Sequence, residues 1–134
     1  MLAAAGPART YLAFDYGTRR VGVAVGNTLL GTARGLRTIA AEGDARFAAI
    51  AKLVEEWQPD ALVVGVPFHP DGAEHDNTRR ARRFGRQLHG RFRKPVHEVD
   101  ERWTTTEALA AGAADADAAS AVLILEQFLR GLPR

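Results

Sequence analysis

The stretch Tyr11-Leu-Ala-Phe-Asp15-Tyr-Gly-Thr-Arg-Arg-Val-Gly-Val-Ala-Val25-Gly constrains this chain more than any other. Two apolar runs, Thr10–Phe14 and Val21–Val25, flank a short polar connection that contains Gly17. That spacing predicts two antiparallel strands joined as a hairpin. Asp15 ends the first run, at the rim of the predicted sheet. A buried carboxylate there must be hydrogen-bonded, paired or metal-bound, because desolvating it alone is costly. Taken alone, it also reads as a turn aspartate bonded to the backbone of Gly17 or Thr18.

The remaining elements follow from periodicity. Gly31–Ile39 is a polar-alternating segment, expected as a third antiparallel strand. Asp44 is placed as the cap of a helix to about Trp57, with Phe47, Ile50, Ala51, Val54 and Trp57 on one face. Pro59-Asp60 ends it, and the continuous apolar run Ala61–Val66 reads as a strand covered on both faces. Pro67–Glu74 is a loop with turn chemistry at Pro70-Asp71-Gly72. A second helix is expected from Asp76 to about His89, burying Ala81, Phe84 and Leu88. Val96–Val99 is a short strand, Thr104–Gly112 a short helix, and Asp117 opens a last helix to Leu129 that buries Ala118, Ala121, Val122, Leu125 and Leu129. Hairpins followed by helix–strand alternation predict an α/β fold, a mixed sheet with helices on its faces.

At 134 residues the chain is expected to form one domain, residues 1–134, large enough to need no disulfide or structural metal. It has no cysteine, which excludes thiolate chemistry and suits a reducing compartment. No stretch is long enough to span a membrane and the first residues lack a signal-peptide pattern, so a cytoplasmic protein is expected. The net charge is only +2. Yet Arg79, Arg80, Arg82, Arg83, Arg86, Arg91, Arg93 and Lys94 follow one another with no acid among them. Such a block is either a solvated helix face or a polyanion contact. Without acids inside the block, helical pairing cannot compensate its charge, which favours the polyanion.

Three acidic positions complete the pattern. Asp100-Glu101 follows a strand, and adjacent residues there face opposite sides, so one of the two is expected toward Asp15. Asp117 starts a helix. Singly, these read as a surface salt bridge with Arg102 and as an N-cap for which Asp115 competes. Together with Asp15 they can gather at one sheet edge. An all-oxygen donor set favours Mg²⁺ or Mn²⁺ over Zn²⁺, and such ions support phosphodiester hydrolysis. The four histidines are scattered and show no metal spacing. His75 is a weak candidate for proton transfer, and Trp57 and Trp103 read as packing residues.

Phe14-Asp15-Tyr16-Gly17-Thr18-Arg19-Arg20-Val21-Gly22-Val23-Ala24-Val25 resembles the opening of the YqgF family, also called RuvX. So do Val63-Val64-Gly65-Val66-Pro67 with Asp71-Gly72, Val99-Asp100-Glu101-Arg102-Trp103-Thr104-Thr105, and Asp117 through Leu125. The resemblance covers nearly the whole chain. It implies an RNase H-like fold with a five-stranded mixed sheet, and a metal-dependent endonuclease whose acids are Asp15, Glu101 (preferred to Asp100) and Asp117. It implies processing of the 5′ end of pre-16S rRNA, with ribosomal precursor particles as the setting. An alternative is a Holliday junction resolvase acting on branched DNA. Arg19, Arg20 and Arg102, with Arg79, Arg80, Arg82, Arg83 and Arg86, are the expected nucleic-acid contacts. The chain departs from the family between the Asp-Glu-Arg motif and the last helix. There it has only Glu107–Ala116, without lysine, where members carry a longer glycine-rich loop.

Other readings make different demands. Resolving a junction needs two matched cuts and so a symmetric dimer, yet no dimer stripe stands out; a monomer or weak homodimer is expected. Asp15–Thr18 also resembles the phosphate-binding turn of the sugar-kinase and actin superfamily, which closes two such domains around ATP where this chain supplies one. A non-catalytic RNA-binding module would not need the motif acids.

Overall fold

The computed structural model describes residues 8–101 and 116–132. Its elements are β1 (Thr10–Tyr16), β2 (Val21–Asn27), β3 (Ala33–Ile39), α1 (Gly43–Trp57), β4 (Ala61–Val66), α2 (Asp76–Phe92), β5 (Val96–Asp100) and α3 (Ala116–Arg130). The expected short helix Thr104–Gly112, the loop Glu107–Ala116, and Arg102, Trp103 and Asp115 fall wholly or largely outside the described residues.

The strands form one mixed five-stranded sheet in the order β3-β2-β1-β4-β5. The hairpins pair β1 with β2 and β2 with β3 antiparallel, and β1–β4 and β4–β5 are parallel. Tight turns suffice for the first two connections. The parallel ones need crossovers, which α1 and α2 supply. β1 is the middle strand, flanked by β2 and β4, and all six residues of β4 are buried, as its continuous apolar run requires.

The period-two alternation of β1 divides the core. Leu12 and Phe14 pack with Phe47 and Ile50 of α1 and with Phe84 and Leu88 of α2. Tyr11 and Ala13 face the other way and pack with Ile124 and Leu125 of α3. Asp15, two residues beyond Ala13, therefore belongs to the α3 face.

Several sequence expectations are corrected at the helix ends. Asp44 does not cap α1: Glu42 holds that position without a side-chain cap bond, and Gly43 enters the helix at φ 59°. The buried face of α1 uses Leu53 in place of Ala51, and it includes Arg46, which is only 5% exposed. α2 is capped by His75, whose Nδ1 accepts the Asn77 N–H at 3.1 Å while its own N–H donates to Thr78 Oγ1. Thr78 also donates to the Pro67 carbonyl, fixing the loop before the helix. α2 runs on to Phe92, past His89, and stops at Arg93 in the left-handed region. Pro95 disfavours helical geometry at Lys94, so the helix cannot continue. In α3 Ile124 is fully buried, whereas Val122 and Leu129 are only partly so.

Candidate active site

Residues in register across a sheet share a face, and one such row builds the site. Asp15 of β1 pairs with Gly22 of β2 on one side and Gly65 of β4 on the other. Both glycines are places where something else sits close. A Cβ at Gly65 would stand 2.5 Å from Glu101 Oε1, and one at Gly22 would collide with the backbone of Asp117 and Ala118. The row is thus a carboxylate between two gaps. Glu101, just beyond β5, fills the gap over Gly65 together with Ile124 of α3, and the first turn of α3 fills the gap over Gly22.

This brings Asp15, Glu101 and Asp117 together. Burial raises the pKa of Asp15, and the charge of Asp117 adds to the rise; hydrogen bonds from Glu101 and Ser120 oppose it. Glu101 is pushed up to about 9, first by burial, then by its hydrogen bond with Asp15, then by the charges of Asp15 and Asp100. Physically, two crowded carboxyl groups share one proton, because burial and mutual repulsion forbid both charges. Asp117 lies in the first turn of α3, within the helix rather than at its cap, where its charge complements the helix dipole. Arg20 Nε holds it at 3.2 Å from Asp117 Oδ2.

Of the two adjacent acids, the structure brings Glu101 to Asp15. Asp100 acts on Glu101 through its charge. Gly17, Thr18, Arg19, Arg20 and Asp117 line an open cleft of about 480 Å³ beside the acids. The turn that carries these residues is anchored from below. Arg46 donates to the Thr18 carbonyl at 3.1 Å and to the Ala41 carbonyl at 2.8 Å, with its guanidinium over the Tyr16 ring.

The basic block is not one uncompensated face. Acids outside it pair with Arg79 (Asp76, 2.6 Å), Arg82 (Glu74, 2.6 Å; Glu98, 3.3 Å) and Arg91 (Asp44, 3.4 Å). Glu98 of β5 and Asp44 of α1 are remote in sequence, so a linear reading of the block could not register them, whereas Glu74 and Asp76 lie just ahead of it. Arg80, Arg83 and Arg86 have no ion pair among the described residues. Arg102 lies outside them. His75 spends its Nδ1 on the helix cap.

Sequence reasoning passed over Gly22, Gly65, Ser120 and Arg46. The glycines carry a usable signal, since a glycine inside an apolar strand marks close approach of another group. Ser120 is three residues after Asp117 on a helix, hence on the same face. Arg46 gave no signal, because charged residues are rarely buried.

The donor set at Asp15, Glu101 and Asp117 is all oxygen, and its crowding is relieved by positive charge. It therefore fits a hard divalent cation. Among the described residues no three acidic or histidine side chains are already closed into a metal-holding group. Arg20 engages Asp117 instead.

Comparison with known proteins agrees with this architecture. The sequence model of a family described as "RuvX: Holliday junction resolvase" matches residues 9–131. A relative from Albidiferax ferrireducens, named "Putative pre-16S rRNA nuclease", is 69% identical over 92% of this chain and 80% of its own length. Relatives of the same name from Polaromonas and Burkholderia pseudomallei are 68% and 54% identical, covering 93% and 92% of this chain and 91% and 90% of their own. Among solved structures, Thermus thermophilus RuvC superposes with a TM-score of 0.58 at 14% identity, over 90% of this chain and 93% of that one. RuvC in complex with a Holliday junction gives 0.56 at 13%, with the same coverage. At such identity the likeness establishes the fold alone, which is RNase H-like. With the family match spanning nearly all of the sequence and these relatives at least 54% identical to it over the aligned residues, the chain belongs to the RuvX family.

Proposed function

We propose that the chain is a metal-dependent endonuclease that trims the 5′ end of pre-16S rRNA. The observation that carries the reading is the convergence of Asp15, Glu101 and Asp117 on the glycine-flanked row of the sheet. Asp15, Glu101 and Asp117 are the residues that would hold Mg²⁺ or Mn²⁺. Bound there, the ion supplies Lewis-acid activation of water and offsets charge on the phosphate. Glu101 lies against Asp15, and Arg20 pairs with Asp117. Arg19 and Arg20, on the turn braced by Arg46, line the cleft, where they would orient a phosphodiester. The names of the relatives support rRNA as the substrate.

The description of the family favours a second reading, junction resolution in branched DNA, with the same centre acting on two strands. Resolution requires a dimer, whereas trimming is compatible with a monomer.

Cleavage of an rRNA precursor that retains its 5′ leader, beside a four-way DNA junction, separates the readings. The assays run with Mg²⁺, Mn²⁺ or EDTA, for the wild type and for Asp15→Asn and Asp117→Asn. Metal-dependent cutting of the RNA, lost in both variants, is expected. Paired cuts in the junction alone would move the function to recombination. Binding without cutting, unchanged by the substitutions, would leave a non-catalytic RNA-binding protein.

A further inference from the structure

The arginines of α2 fall on two stripes with different partners. Arg82 and Arg86 line a groove toward β5 together with His89 and Glu98, and Arg82 is neutralised there by Glu74 and Glu98. Arg80, Arg83 and Gln87, at positions i, i+3 and i+7, form the other stripe. They line a separate cleft of about 340 Å³, completed by Tyr16, Thr18 and Glu42. Arg80 spends one N–H on the neutral Asn77 Oδ1 at 3.2 Å, and neither Arg80 nor Arg83 has an ion pair among the described residues.

The position of this cleft matters more than its charge. Tyr16 follows Asp15 directly and faces the opposite side of the sheet, with its ring beside Phe84 of α2. Thr18 lines both this cleft and the one that holds Arg19, Arg20 and Asp117. The β1–β2 turn is therefore a narrow ridge with the acids on one side and two exposed guanidinium groups on the other. Arg46, buried beneath it, fixes the ridge through the Thr18 carbonyl. A chain of phosphates that crosses the ridge passes from the acid side to Arg80 and Arg83 without leaving the surface. Glu42 is the acid of the cleft; one carboxylate against two guanidiniums leaves it attractive to anions.

We propose that the Arg80–Arg83 cleft is a phosphate subsite that grips the substrate strand next to the position of cleavage. It holds a single RNA strand by its backbone across the β1–β2 turn. The proposal rests on the nuclease reading above and adds the path of the strand. Such contacts give affinity and register without base specificity.

The test is binding rather than cleavage. The full-length Asp15→Asn protein in EDTA is titrated into a fluorescein-labelled 12-nucleotide RNA, by anisotropy, over a series of KCl concentrations. Arg80→Gln/Arg83→Gln is compared with Lys52→Gln/Arg37→Gln, which removes equal charge at exposed positions outside both clefts. Each lost phosphate contact lowers the slope of log K against log salt by about 0.7 for single strands, so the first pair is expected to lower it by about 1.4. Affinity should fall on the order of tenfold. The control pair should leave the slope unchanged, and Glu42→Gln should tighten binding. Melting temperatures verify that each exposed substitution leaves the fold intact. Equal slopes for the two double variants, with the parent protein still binding, would overturn the subsite and spare the nuclease reading. No binding by the parent, together with no cleavage by the wild type, would overturn both.

Discussion

Gly22→Ala adds one methyl group, and the structure indicates what it displaces. A Cβ on Gly22 would stand 1.9 Å from the Asp117 carbonyl oxygen, 2.1 Å from its carbonyl carbon and 2.8 Å from the Ala118 nitrogen. All three are backbone atoms of the first turn of α3, so no side-chain rotation relieves the clash. Normal contact begins near 3.4 Å, so the helix start must retreat by about 1.5 Å. That end of α3 seats Ala118 and Ala121, both buried, against the sheet. Overpacking at such a site costs about 1–3 kcal/mol, a fall in Tm of roughly 5–10 °C for a chain of this size. The same shift carries Asp117 away from Asp15, and misplacing a reacting group by an ångström costs about a hundredfold in rate. The control is Gly35→Ala on β3, whose added Cβ meets Ala118 Cβ at an ordinary 3.4 Å. Thermal denaturation and cleavage of the rRNA precursor are measured for both. Gly22→Ala should lose both stability and rate, and Gly35→Ala neither. A Gly22→Ala protein with unchanged Tm and unchanged cleavage would refute the argument that this glycine makes room for the acid-bearing helix.

Other consequences follow from the same contacts. With a folded pKa raised from 4.5 to about 9, Glu101 binds its proton more tightly in the fold than in the unfolded chain. Its stabilising contribution is complete below pH 4.5 and is lost as pH rises toward 9; metal-free Tm should fall across that window, and fall less in Glu101→Gln. At pH 8, Mg²⁺ should raise the Tm of the wild type by replacing that proton, and Asp15→Asn should lose the response in a melt with and without EDTA. Arg46→Met leaves the Thr18 and Ala41 carbonyls without their donor inside the protein, which should cost about 2–3 kcal/mol in urea unfolding. Thr78→Val, buried at the start of α2, removes the bonds to Pro67 and His75 and should cost about 1–2 kcal/mol.

Much of the scaffold was legible because period and burial coincide. β1 alternates between two cores and β4 is apolar throughout, so each run has one sensible conformation. The acids were legible as positions but not as partners. Asp100 and Glu101 are adjacent in sequence; the family resemblance favours Glu101, and the geometry at the end of β5 brings it to Asp15. Helix caps were harder to read. His75 caps α2 through its ring nitrogen, which accepts the Asn77 N–H, a role that imidazole seldom fills. The arginine block shows the limit of linear charge reading, since Glu98 and Asp44, remote in sequence, neutralise Arg82 and Arg91. Gly22 and Gly65 carry the lesson furthest. Each is poor strand material, and each marks the place where another element enters the site.

The central claim is that Asp15, Glu101 and Asp117 form one working centre while Asp100 stands outside it. Cleavage of the 5′-leader precursor by Glu101→Gln and Asp100→Asn, side by side in Mg²⁺, tests it most directly. Loss of at least a hundredfold in rate in Glu101→Gln with near-normal cleavage by Asp100→Asn is the predicted result, on the order expected for removing a group that acts at the reacting phosphate. Full activity in Glu101→Gln, or its loss in Asp100→Asn alone, would contradict it.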